Sequence, residues 1–166
     1  MMNLRKGIAH LATALCLAVP ATAALAAAPY HVGIITGTVN QGEDEVRGAE
    51  AMIKEYGDVK NGGMIQHLTY PNNFSAEQET TISQIVSLAN DPLMKAIVMN
   101  QAVPGATEGF RRVREMRPDI LLLGGVPQED PLVIGKVADL IMRNDFISAG
   151  YRVIWAAKQL GSKTFV

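Results

Sequence analysis

The chain has 166 residues, 48% of them hydrophobic and 19% charged, with a formal net charge of −1 at pH 7. These values suit one globular domain with a core large enough for stable folding. The near-neutral balance, the absence of a basic block and an aromatic content of 5% argue against nucleic acid as a partner, because neither a phosphate-binding stripe nor a stacking platform is present.

The first residues differ from the rest. Arg5 and Lys6 open an apolar stretch from Ile8 to Leu25 that is broken by Pro20 and ends in small residues, with Ala24-Leu25-Ala26 as the cleavage site. This is the layout of a secretory signal peptide, residues 1–26. The short apolar core and small-residue exit favour cleavage over retention as an anchor, so no stable membrane insertion is expected afterwards. Leu15 is too large to precede a lipid-modified cysteine, which leaves Cys16 as a small apolar residue of the signal. Cleavage leaves 13 basic against 16 acidic residues, a net charge of −3, and no cysteine. An exported chain without thiols needs no disulfide machinery and has no thiol nucleophile, which is compatible with a periplasm.

Tyr30 to Thr36 reads as a first strand, running into Gly37-Thr38-Val39-Asn40-Gln41-Gly42. The spacing of Val46, Ala49, Ile53 and Tyr56 predicts a helix from Glu43 to Tyr56, with Glu43, Asp44 and Glu45 in its first turn. Met64 to Thr69 forms a second strand, and Gln66 and His67 within it suit a sheet edge. Ser75 and Gln78 have capping-box spacing ahead of a helix whose buried stripe is Ile82, Ile85, Val86 and Ala89 and which stops at Asp91-Pro92. Ala96 to Met99 is apolar without alternation, as in a strand covered on both faces, and it gives way to Asn100 and Gln101. A third helix follows from Gly105 to Met116, with Ala106, Phe110 and Val113 inward. Ile120 to Leu123 is again apolar on both faces. Pro131 to Gly135 leaves room for a short helical piece, and Val137 to Met142 forms a fifth strand. The last helix, Phe146 to Leu160, gathers Phe146, Ala149, Gly150, Val153, Ala157 and Leu160 on one side, and Thr164 to Val166 looks like a strand just beginning.

Strand and helix thus alternate, which specifies an α/β fold: a three-layer, doubly wound parallel sheet with right-handed crossovers. A polar second strand at the edge gives the order 2-1-3-4-5. In such sheets ligands sit beyond the carboxyl ends of the strands, where neighbouring connections part to opposite faces, here strands one and three.

Catalytic and metal-binding patterns are weak. Gly37-x-x-x-x-Gly42 has the first half of a phosphate loop, but Glu43 and Asp44 stand where Lys and Ser/Thr are required. Gly161-Ser162-Lys163-Thr164 lacks the upstream glycine and reads as a turn. His31 and His67 have no ligand-spaced partners, and no serine ends a strand as a nucleophile. No catalytic residue, metal or cofactor is therefore expected. Asp130 reads as a turn residue, while Glu129 and Asp145 stay open as ligand contacts. What remains at the strand ends is uncharged and polar: Thr36, Thr38, Asn40, Asn72, Asn100, Gln101, Gln128 and Asn144, with Tyr70 and Phe74 as an apolar wall. That is the chemistry of holding a small polar ligand.

The signal peptide, His31-Val32-Gly33-Ile34-Ile35-Thr36-Gly37, Met94 to Asn100, Ile120-Leu121-Leu122-Leu123-Gly124-Gly125-Val126-Pro127 and Arg143 to Tyr151 together resemble a type I periplasmic solute-binding protein. Glu79 to Val86 and Asn100 to Gly105 are similar to an uncharacterised branch of that superfamily, related to the basic membrane lipoproteins. The resemblance implies two lobes closing on a ligand that passes to a membrane permease, as in an ABC-type importer, or to a sensor. Residues 27–143 would form the N-terminal lobe, and 144–166 the hinge crossover and the start of a truncated second lobe. Thr38, Asn40, Asn100 and Gln101 would be the leading contacts. The competing expectations are an exported flavodoxin-like protein or small α/β enzyme that holds a phosphate at Thr36-Gly37-Thr38, and a gene fragment without function.

Overall fold

A computed structural model describes residues 28–164; the expected signal peptide and the last two residues lie outside them. The elements are β1 (His31–Thr36), α1 (Val39–Tyr56), β2 (Ile65–Thr69), α2 (Gln78–Ala89), β3 (Met94–Met99), α3 (Ala106–Met116), β4 (Leu121–Gly125), α4 (Pro131–Ile134), β5 (Leu140–Met142) and α5 (Phe146–Gln159). All strand pairs are parallel, in the order β2-β1-β3-β4-β5. The polar β2 occupies the edge, where half-burial tolerates Gln66 and His67.

Register sorts the side chains into two faces. Gly33, Ile97 and Leu122 lie in one lateral row, and Ile35, Met99 and Gly124 in the next. This face packs against α2 and α3 through Ile85, Leu88, Phe110 and Val113, all fully buried. The two helices approach closely because Gly109 faces Ile85, where an added Cβ would lie 2.6 Å from Ile85 Cδ1. Truncating a fully buried aromatic such as Phe110 to alanine costs about 3–5 kcal/mol, so this face holds most of the apolar stabilisation. Arg117 ties the lower rim together by donating to the carbonyls of Ala89, Asp91 and Met94 and pairing with Asp119.

The opposite face is only half covered. There α1 lies over β1 and β2 and buries Val46 and Ala49. Among the described residues, no helix lies above the rows Ala96–Leu121 and Val98–Leu123–Leu140, with Met142 beyond them. Leu121 and Leu140 are each 49% exposed, and Met142 is 43% exposed. The expectation that β3 and β4 are buried on both faces therefore holds on one face alone.

Three boundaries differ from expectation. First, α1 begins at Val39 rather than Glu43, because Thr38 caps it: the Thr38 N–H donates to Gln41 Oε1 at 3.1 Å. Gly42 kinks the helix, which places Glu43 to Glu45 beyond the first turn. Second, Ser75 does not cap α2. Residues 73–77 form a turn on the Asn73 carbonyl, and Gln78 Nε2 donates to the Ser75 carbonyl instead. Third, β5 starts at Leu140. Val137 and Ala138 pack half-buried against the core, and the Asp139 carboxylate accepts from the Leu122 N–H and from Arg114. Finally, α5 forms as expected, but none of its residues is buried.

Candidate ligand-binding crevice

The chain leaves β1 for α1 on one face and leaves β3 for α3 on the other. The adjacent strands β1 and β3 therefore part at their carboxyl ends, which opens the crevice that doubly wound sheets use for ligands.

Glu45 reaches into this crevice from α1. One carboxylate oxygen accepts from Gln101 Nε2 at 2.5 Å and the other from the Gly37 N–H at 3.3 Å. The Gln101 amide oxygen in turn lies 3.4 Å from Gln128 Nε2 at the end of β4. The ends of β1, β3 and β4 are thus linked by one run of side chains. At the lip, Thr38 Oγ1 donates to Asn72 Oδ1 at 2.5 Å, and Gln41 Nε2 donates to the Asn72 carbonyl. Between α1 and the sheet lies an open groove of about 400 Å³, with Ile34, Val98 and Met52 as apolar walls and Asp44, Glu45 and Asn100 at its mouth.

Beneath the crevice the polar groups satisfy one another. Thr36 is 1% exposed; its hydroxyl donates to the Gly37 carbonyl at 2.8 Å, which leaves His67 Nε2 as the donor to Thr36 Oγ1. Burial lowers the pKa of His67, against a smaller opposing pull from Glu50. Tyr70 is also 1% exposed and meets Phe74 edge-to-face with ring centroids 5.6 Å apart. Burial first, and the Glu45 charge second, push the Tyr70 phenol up to about 12.

The expected site residues therefore separate into groups. Thr38, Asn100, Gln101 and Gln128 meet at the crevice, with Asn72 beside them. Thr36 and Tyr70 are structural groups below it, and Phe74 packs on Tyr70 rather than standing free as a wall. Asn40 is exposed on the first turn of α1. Asn144 and Asp145 stand two strands from β3, about 10 Å across the sheet. There Asp145 caps α5 by accepting from the Ser148 N–H at 2.9 Å, and the Ser148 hydroxyl first, with that N–H second, holds its carboxyl below the usual range. Glu129 accepts from the Gly105 and Thr107 N–H groups at 3.2 and 2.8 Å, so it caps α3 rather than facing solvent. Asp130 caps α4 through the Leu132 N–H.

The group that local reading missed is Glu45. Its helix-dipole assignment conceals a tertiary contact with Gln101, 56 positions away. The signal that finds it is Thr38-x-x-Gln41, which moves the helix start back by four residues and turns Glu45 toward the sheet.

The loop after β4 is held tightly. The Ala102 N–H donates to the Gly125 carbonyl and the Gln128 N–H to the Ala102 carbonyl. Val126, between them, takes φ 37°, a left-handed conformation that a β-branched side chain strongly disfavours. Backbone strain of this kind gathers at ligand clamps. The phosphate-loop geometry is already filled from within, since Glu45 accepts from the Gly37 N–H and Gln41 from the Thr38 N–H. Among the described residues, no three His, Cys, Asp or Glu side chains converge to hold a metal ion, and no helix is long and apolar enough to cross a membrane.

Fold and crevice together define a doubly wound α/β domain with polar side chains at its switch point. The chain belongs to the family described as protein of unknown function (DUF3798), which matches residues 30–166. An uncharacterized protein of Treponema pallidum (strain Nichols) is 40% identical over 139 residues, 82% of this chain and 63% of the relative. A second uncharacterized protein of that organism is 39% identical over 82 residues, 49% of this chain and 38% of the relative. The chain thus spans less than two thirds of the length of these relatives. A crystal structure from Clostridium difficile 630, provisionally described as a transcriptional regulator, superposes with a TM-score of 0.67 at 24% identity. It covers 82% of this chain and 39% of its own, and at that identity the likeness is one of fold alone.

Proposed function

We propose that this chain is the ligand-gripping lobe of an exported solute-binding protein of the type I periplasmic kind. It captures a small polar molecule without catalysis and presents it to a membrane permease or a sensor. The observation that carries this reading is the convergence of Glu45, Asn100, Gln101 and Gln128 on the crevice between the ends of β1 and β3, where they supply hydrogen bonds and no activated nucleophile. A supporting observation is α5, which begins directly after the Arg143-Asn144-Asp145 connection and leaves Phe146, Ile147, Tyr151 and Trp155 exposed, as befits a helix meant to pack against a further layer. Closure is then a hinge motion about residues 143–145. Occupied N–H groups at Gly37 and Thr38 weigh against the flavodoxin-like alternative.

The test is thermal unfolding of the wild-type chain and of Gln101→Ala in the presence of sugars, nucleosides and small polar signalling molecules. A ligand that binds the folded state raises the midpoint. The reading expects at least one compound to stabilise the wild type and to lose most of that effect in Gln101→Ala. If no compound stabilises either protein, or if Gln101→Ala responds like the wild type, the assignment fails.

A further inference from the structure

Glu45 is a half-buried carboxylate at the point where β1 and β3 part, and the groups that meet it are neutral. Its oxygens accept from the Gln101 amide and from the Gly37 N–H. None of the ion pairs formed among the described residues includes it. Its charged neighbours are acidic: Asp44 precedes it on α1, and Glu129 follows β4. Arg143, at the carboxyl end of β5, stands three strands from β1, roughly 14 Å across the sheet. We propose that the crevice selects ligands carrying a primary ammonium group, for which Glu45 is the counter-charge. This rests on the ligand-binding reading above and narrows it from polar molecules in general to small organic amines.

A second observation points to the same spot. Tyr70 is 1% exposed, and its ring packs in the core against Phe74. Thr36 and His67 satisfy each other, but among the described residues no hydrogen-bond partner meets the Tyr70 hydroxyl. That hydroxyl is aimed at the floor of the crevice. A Cβ on Gly37 would lie 3.0 Å from Tyr70 Oη, beside the N–H that Glu45 accepts from. A buried hydroxyl without a partner has given up its hydrogen bonds to water, and a ligand can restore them. Asn100, half-buried and facing the same mouth as Glu45, also has a side-chain amide that no described group engages.

The chemistry of these groups selects the ligand. Glu45 keeps lone pairs beyond the two it uses, and Tyr70 and Asn100 each offer an oxygen. An ammonium group brings three donors and a positive charge. A neutral ligand closing over Glu45 would shut a charge away from water with no counter-charge, which is costly, and an anion would be repelled. An amine alone turns that burial into a gain.

The experiment titrates the full chain with matched probes while following amide chemical shifts. One set is butylamine, butanol and butyrate; the other is ethanolamine, ethylene glycol and glycolate. At least one amine should move the signals of Gly37, Thr38 and Gln101 and bind about tenfold or more tightly than its neutral counterpart, the worth of a charge-assisted hydrogen bond. Glu45→Gln keeps an acceptor for Gln101 and Gly37 but removes the charge, and it should erase that preference. Tyr70→Phe breaks no hydrogen bond within the described chain, so it should weaken amine binding about threefold or more without lowering the unfolding midpoint. Neutral or anionic probes that shift those signals as strongly as the amines overturn the ammonium assignment and leave the ligand-binding reading standing. Amines that bind both variants as tightly as the wild type, or that shift only the exposed acids of α1, overturn it as well, since surface charge alone then attracts them. Silence from every probe overturns it too, whereas the ligand-binding reading falls only if sugars, nucleosides and polar signalling molecules are silent as well.

Discussion

Glu45 is the residue on which the crevice turns, and its contact with Gln101 can be measured without knowing the ligand. Glu45→Ala removes a carboxylate that accepts from Gln101 Nε2 at 2.5 Å and from the Gly37 N–H at 3.3 Å. A hydrogen bond to a charged acceptor contributes about 1.5–3 kcal/mol when well sheltered. Both residues are only partly buried and the second bond is long, so the expected loss is about 1–2 kcal/mol. For a domain of this size that lowers the unfolding midpoint by roughly 3–8 °C. Gln101→Ala should cost about 1 kcal/mol, because it leaves the carboxylate short of one donor. The decisive quantity is the coupling in the cycle of Glu45→Ala, Gln101→Ala and the double variant, read from urea unfolding at pH 7. It should come to about 1 kcal/mol. Strictly additive losses would refute the claim that the two side chains meet, and with it the idea that α1 and the end of β3 are bridged across the crevice.

Other substitutions test neighbouring parts of the account. Gly125→Ala places a Cβ 2.2 Å from the Asn100 carbonyl oxygen, a backbone atom that cannot swing aside, so urea unfolding should show a loss of about 3 kcal/mol. Glu129→Ala uncaps α3 at the Gly105 and Thr107 N–H groups and should lower stability by about 1–2 kcal/mol in the same assay, while Asp130→Ala lowers it less. His67 has a lowered pKa in the folded state, so below its unfolded value of about 6.5 the unfolded chain binds the extra proton more readily and stability falls with pH. Thermal midpoints should therefore drop between pH 7 and pH 5, and His67→Gln should flatten that slope.

Much of the fold was legible in the amino-acid pattern because its signals are local. Unbroken apolar runs at Ala96–Met99 and Ile120–Leu123 imposed a parallel sheet, and Gln66 and His67 placed β2 at the edge. The stripe of Ala106, Phe110 and Val113 is fully buried as its spacing predicts. Capping signals were less reliable. Thr38-x-x-Gln41 and Ser75-x-x-Gln78 have the same form, yet only the first starts a helix, because the turn on the Asn73 carbonyl takes the place of the second. The half of the sheet left uncovered by the described helices was not legible for a different reason: an apolar residue records that its face is to be covered and carries no information on which segment covers it. The crevice lay between these cases. Asn100, Gln101 and Gln128 follow from their positions at strand ends, whereas Thr36 and Tyr70 share that polarity and spend it on His67 and on the core. No spacing rule separates a hydroxyl that faces a ligand from one that satisfies a buried histidine.

The central claim is that small polar molecules bind where β1 and β3 part. Amide chemical-shift mapping of the isotope-labelled chain against a set of sugars, nucleosides and polar signalling molecules tests it most directly. The account predicts that at least one compound moves the signals of Gly37, Thr38, Asn100, Gln101 and Gln128 as a cluster. Shifts confined to other surfaces, or none with any compound, would contradict it.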